Sequence, residues 1–126
     1  LTVAKWSEYP NFTKAEFDCK ETAENNMQHE FMVVLQKIRT DYGKSLTITS
    51  GYRSAKHSIE RKKGHSDGEH VQGLCADISC RDSQTRYELI KIAYKHGITR
   101  IGVAKTFIHI GLGTNNLPNN VMWDYS

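Results

Sequence analysis

No apolar run in this sequence approaches the about 20 residues that a membrane-crossing helix needs, so no membrane span is expected. A CxxC pair is also missing, which argues against a structural zinc knuckle. The cysteines, Cys19, Cys75 and Cys80, number three, so at least one thiol has no partner. Cys75 and Cys80 would point to opposite faces of one extended strand and cannot bridge each other. We read all three as reduced, with Cys75 a small buried apolar residue; a Cys19–Cys80 bridge has nothing to support it. There are no internal repeats, low-complexity tracts or linkers. No signal peptide is visible, yet the chain opens on Leu1, so an upstream segment removed by processing stays open.

What is present reads as one globular domain over 1–126 and a monomer. The chain has 126 residues, 38% hydrophobic and 25% charged, enough to bury a core without staples. Its net charge is only +3. Positive charge is densest in 53–63 (RSAKHSIERKK), either a solvated loop or a patch that steers an anionic polymer. No recognition motif accompanies that run, so no nucleic-acid partner is expected.

Local patterns place the elements. Thr13 and Glu16 have the spacing of a capping box, which predicts a short helix over 14–18. Met27, Phe31, Val34, Leu35, Ile38 and Tyr42 recur at helical spacing and Gly43 ends the pattern, predicting a helix over 26–42. The alternating, β-branched stretch 45–50 reads as a strand, and 51–69 as a long aperiodic loop. A second strand follows at 74–79, then a helix over 84–96 and strands at 99–104 and 107–112. The Asn-rich tail, 113–126, is expected to dock Trp123 and Tyr125 on the body. Helices interleaved with a small sheet define an α+β fold.

Three residues break these patterns. Asp77 lies in an apolar strand, where a carboxylate is costly unless paired or metal-bound. His109 shares a strand face with Phe107 and Gly111, opposite Ile108 and Ile110, which must be the core face. His70 precedes Asp77 by seven residues, and Gly73 between them allows the turn that aims both at one point. Two imidazoles and a carboxylate suit zinc, and three protein ligands leave a fourth tetrahedral position for water. Separately, each has a bland reading, a structural strand histidine or an aspartate holding an arginine.

The order SGYRS (50–54), HxxGxxxD (70–77) and FIHI (107–110) resembles the M15 zinc peptidases, the D-alanyl-D-alanine carboxypeptidase and phage endolysin group, most nearly the small M15A type. The likeness runs over roughly 11–112. It implies a small antiparallel sheet flanked by helices, as in the Hedgehog domain. It also implies Zn2+ held by His70, Asp77 and His109, and hydrolysis of peptidoglycan stem peptides. Arg53 takes the position of a substrate-facing arginine, suited to steadying an oxyanion; the alternative is a loop salt bridge. Tyr52, beside it, is a lesser candidate for substrate binding and more naturally packing.

Departures concern the general base. Better-known members carry a carboxylate three residues before the last ligand, where this chain has Thr106. Many small relatives have Asp two residues after it, where this chain has Gly111. Cys75 stands where alanine is usual. Glu69 or Asp67 is the preferred base, with His65 and His57 behind them. The competing expectation is a non-catalytic zinc module that recognises cell wall or a protein partner. Location stays open: a phage lysis enzyme would pass from host cytoplasm to the wall.

Overall fold

The structure, a computed structural model, describes residues 1–64 and 67–125. Helix α1 (His29–Tyr42) buries Phe31, Met32, Leu35 and Ile38, the stripe that helical spacing requires. Gly43 ends it at φ 76°, donating its N–H to the Arg39 carbonyl. The helix starts later than position 26 for a tertiary reason. Gln28 donates its N–H to the Gly73 carbonyl (3.0 Å) and bridges to Val3, which keeps the chain extended up to His29.

The capping box forms as its spacing predicts, with the Thr13 N–H donating to Glu16 Oε2 at 2.7 Å, but the turn it starts, Lys14–Phe17, is a 3₁₀ helix. Phe17 is fully buried, and it pins the segment that bears Arg53. Gly51 packs so close that a Cβ there would stand 2.7 Å from Phe17 Cα, and the Tyr52 N–H donates to the Phe17 carbonyl at 2.8 Å.

Five strands form one sheet: β1 (Ile48–Ser50), β2 (Cys75–Ser79), β3 (Arg100–Val103), β4 (Phe107–Gly111) and β5 (Val121–Asp124), in the order β1-β2-β4-β3-β5. The expected antiparallel sheet is in fact mixed. The tail does more than dock: it supplies β5, which pairs in parallel with β3. Residues 112–120 carry the chain across the end of β3, and the Val121 N–H donates to the Thr99 carbonyl at 3.1 Å. Within the stretch read as loop, a one-turn helix α2 (Ser58–Arg61) is capped by His57 Nδ1, which accepts from the Ile59 N–H at 3.1 Å. Helix α3 (Ser83–Lys95) is capped by Asp82, which accepts from the Thr85 N–H at 2.9 Å, and buries Leu89, Ile92 and Ala93.

One sheet face belongs to the core, where Ala76, Ile78, Ile101, Ile108 and Ile110 join the α1 and α3 stripes. Each large buried side chain there contributes about 1.5–3 kcal/mol. The same period of two sends alternate residues the other way. Register aligns Ser50, Asp77, His109, Gly102 and Trp123 in one row across the sheet. The adjacent row is Cys75, Gly111, Arg100 and Val121. These two rows build the site.

Candidate metal centre

The two histidines and the aspartate come together. His109 Nδ1 lies 2.9 Å from Asp77 Oδ1, and His70 Nε2 lies 3.5 Å from Asp77 Oδ2. All three residues are buried. Asp77 and His109 meet because β2 and β4 pair them directly. His70 arrives from outside the sheet. Its Nδ1–H donates to the Gly51 carbonyl at 2.8 Å, which leaves Nε2 as the nitrogen facing the site. Gly73 then turns the chain into β2 at φ 71°, and a Cβ there would overlap the Asn26 carbonyl. Only glycine satisfies both demands.

Glu69 adds a second carboxylate. Its Oε1 accepts from His109 Nε2 at 2.8 Å, and Arg100 Nε stands 3.0 Å from the same oxygen as an ion pair. Its Oε2 is buried without a hydrogen-bond partner among the described residues. This carboxylate fills the space above Gly111, where any Cβ would overlap Oε2. The glycine that removes an acidic side chain from position 111 therefore admits another from the loop.

Charge follows from this packing. Burial works to lower the His70 imidazole, but Cys75 and Asp77 outweigh it and raise His70 to about 9. His109 also rises well above its ordinary value: burial opposes the change, while Cys75, Asp77 and Glu69 drive it. Burial works to raise the Asp77 carboxyl, yet hydrogen bonds from His109 and His70 bring it below the usual range. The Cys75 thiol is likewise raised by burial and lowered on balance by the two imidazoles.

Other candidates take different places. Arg53 is held by Glu60 Oε2 (3.0 Å) and Ser50 Oγ (3.3 Å), with its second terminal nitrogen 3.9 Å from Asp77 Oδ2. The salt-bridge reading describes its position, which also borders Asp77. Tyr52 packs against the hydrophobic core. Asp67 is exposed, with Oδ2 accepting from Asn116 Nδ2 at 2.8 Å. His57 caps α2 and pairs with Glu21 (3.2 Å). His65 lies outside the described residues.

A cavity of about 480 Å³ opens over the centre. Arg53 and Lys63 line one part of its wall, and Phe107, Leu117, Trp123 and Tyr125 another. A larger hollow, about 590 Å³, runs along α3 past Asp41, Tyr87, Glu88 and Lys91, away from this donor set.

Sequence reasoning missed four residues. Cys75, read as apolar filler, is buried but turns toward the imidazoles; its sulfur and one ring nitrogen each of His70 and His109 lie within 4.8 Å of one another. The signal was available, since Cys75 precedes Asp77 by two residues and must share its face. Arg100 and Trp123 depend on strand register, which no local pattern reveals. Glu60 sits in a run of charge, yet it is almost completely buried between Arg53 and Lys63.

Nitrogen, oxygen and sulfur donors converge at the wall of a cavity on an α+β fold, the arrangement of a candidate metal site. The sequence profile of the peptidase M15 family matches residues 8–111, so the chain belongs to that peptidase family. No curated protein matches the chain. The matched span contains Glu69, His70, Cys75, Asp77, Arg100 and His109; β5 lies beyond it. No helix among the described residues is long and apolar enough to cross a membrane.

Proposed function

We propose that the protein is a zinc-dependent peptidase acting on peptidoglycan stem peptides, as a monomer of one domain over 1–126, without nucleic-acid partners. One observation carries the proposal: His70, Asp77 and His109 share a buried point at the wall of a cavity. The donor chemistry fits zinc, with imidazole nitrogens and a carboxylate already steered by outer partners. His70 is oriented by the Gly51 carbonyl and His109 by Glu69. When bound, the metal supplies Lewis acidity toward the scissile carbonyl and lowers the pKa of water.

The remaining work falls to the chain. Glu69 keeps Oε1 on His109 and leaves Oε2 to take a proton, the role of general base. Asp67 is the weaker candidate, because its carboxylate holds Asn116. Arg53 and Lys63 offer positive charge to a peptide carboxylate, and Arg53 is placed to steady developing negative charge. Phe107, Trp123 and Tyr125 face it with apolar surface; Tyr52 would act at most from the flank. The non-catalytic reading drew its strength from missing carboxylates at 106 and 111. Glu69 over Gly111 supplies one, which favours catalysis.

The direct test is incubation of the purified protein with peptidoglycan stem peptides, with and without a chelator, counting new amino termini. Release that stops on chelation and returns with zinc is expected. Intact substrate across divalent metals and pH values would retire the proposal.

A further inference from the structure

Cys75 has no part in the chemistry set out above. It is fully buried at the start of β2, on the face that carries Asp77, and its partner across the ladder is Gly111. With no side chain at 111, nothing on β4 shields the sulfur from the centre. The space above that glycine is taken by the Glu69 carboxylate and bordered by the Cys75 Cβ. Sulfur and imidazole nitrogens within 4.8 Å of one another are the distances of donors that can share an ion.

We propose that Cys75 is itself a ligand of this centre, so that the cation is held by His70, Cys75 and His109 together with Asp77. The inference rests on the metal-dependent reading and goes beyond it. A bound cysteine is a thiolate, and a soft sulfur donor selects zinc or cobalt over magnesium or calcium. Adding it to two nitrogens and an oxygen makes four protein donors, a count that still admits the reacting water because zinc can expand to five ligands. Cys75 would then tighten the hold on the metal while water still enters as a further ligand.

Cobalt reports a sulfur ligand directly, without any turnover. The full-length protein, stripped by chelation and kept reduced, would be titrated with Co2+ beside its Cys75→Ala, Cys75→Ser and Cys19→Ala variants. Wild type and Cys19→Ala are expected to show intense near-ultraviolet thiolate-to-cobalt absorption, together with the visible bands of protein-bound cobalt. Both Cys75 variants should lose the first and keep the second. Their zinc affinity, measured by chelator competition, should fall by at least the roughly 10–100-fold typical of losing an outer partner of a ligand.

Cobalt bound by wild type without the thiolate band overturns the inference and leaves the peptidase proposal standing. Failure of wild type to bind metal at all overturns both. The wild-type spectrum decides even if a Cys75 variant fails to fold.

Discussion

Replacing Gly111 by alanine asks whether Glu69 really occupies the space over β4. The new Cβ would overlap Glu69 Oε2, and it would stand 2.9 Å from Glu69 Cδ and 3.0 Å from Cys75 Cβ. Glu69 must then leave His109 Nε2, at 2.8 Å, and Arg100 Nε, at 3.0 Å. Overpacking of this kind costs about 1–3 kcal/mol. In a Glu69→Ala background the obstacle is gone and only the Cys75 contact resists. Alanine is also preferred over glycine in a strand by roughly 0.5–1 kcal/mol. Gly111→Ala should therefore destabilise the wild type by about 2 kcal/mol and be close to neutral in the double variant. Urea unfolding of the four chelator-treated proteins measures this coupling. With m of about 1–3 kcal/mol/M, a 2 kcal/mol loss moves the midpoint by roughly 1 M. An equal cost of Gly111→Ala in both backgrounds would refute the placement of Glu69.

Three further outcomes are expected. Glu69→Gln keeps size and removes basicity, so peptide release should fall by about 10²–10⁴ while bound zinc, read by elemental analysis, is unchanged; an undiminished rate would move the base elsewhere. Gly73→Ala forces a side chain to φ 71° and into the Asn26 carbonyl, so it should cost at least about 1–3 kcal/mol in thermal unfolding; a cost near zero would remove the turn from the account. In metal-free protein, pairing raises His70 to about 9 from its ordinary 6.5. Its stabilisation is complete below pH 6.5 and is lost as pH rises through about 9. Asp77, lowered from 3.8, adds stability present above that pH and lost as pH falls below it. Urea midpoints should hold between pH 4 and 6.5 and fall toward pH 9; a midpoint that climbs over the alkaline range contradicts the pairing.

How far the sequence could be read depended on the range of the interaction. Helix α1, its Gly43 stop and the Thr13 capping box are local, and each stands close to where spacing predicts. The α1 start was misplaced because Gln28 is held by Gly73, 45 positions away in the chain. His70, Asp77 and His109 were legible as anomalies: a carboxylate in an apolar strand and an imidazole on the non-core face each require an explanation. The Asn-rich tail hid β5, whose Trp123 is seated by the bare backbone of Gly102, a cross-strand fact. Glu69 could be suspected from its neighbour His70, but its reach over Gly111 depends on the β2–β4 register. Residues 53–63 read as a solvated loop or a patch that steers an anionic polymer, whereas Glu60 is buried within the run and tethers Arg53 and Lys63.

The charge state of the centre gives that architecture its sense. With His70 raised to about 9 and His109 raised as well, the metal-free centre favours protonated imidazoles. Together they place two positive charges against Asp77 and Glu69. Replacing those two protons by one divalent cation leaves the net charge unchanged. A buried point that attracts two protons more strongly than water does is, by the same field, one that attracts a dication. The cost of burying Asp77 is thus met in both states, by imidazolium in one and by metal and imidazole in the other.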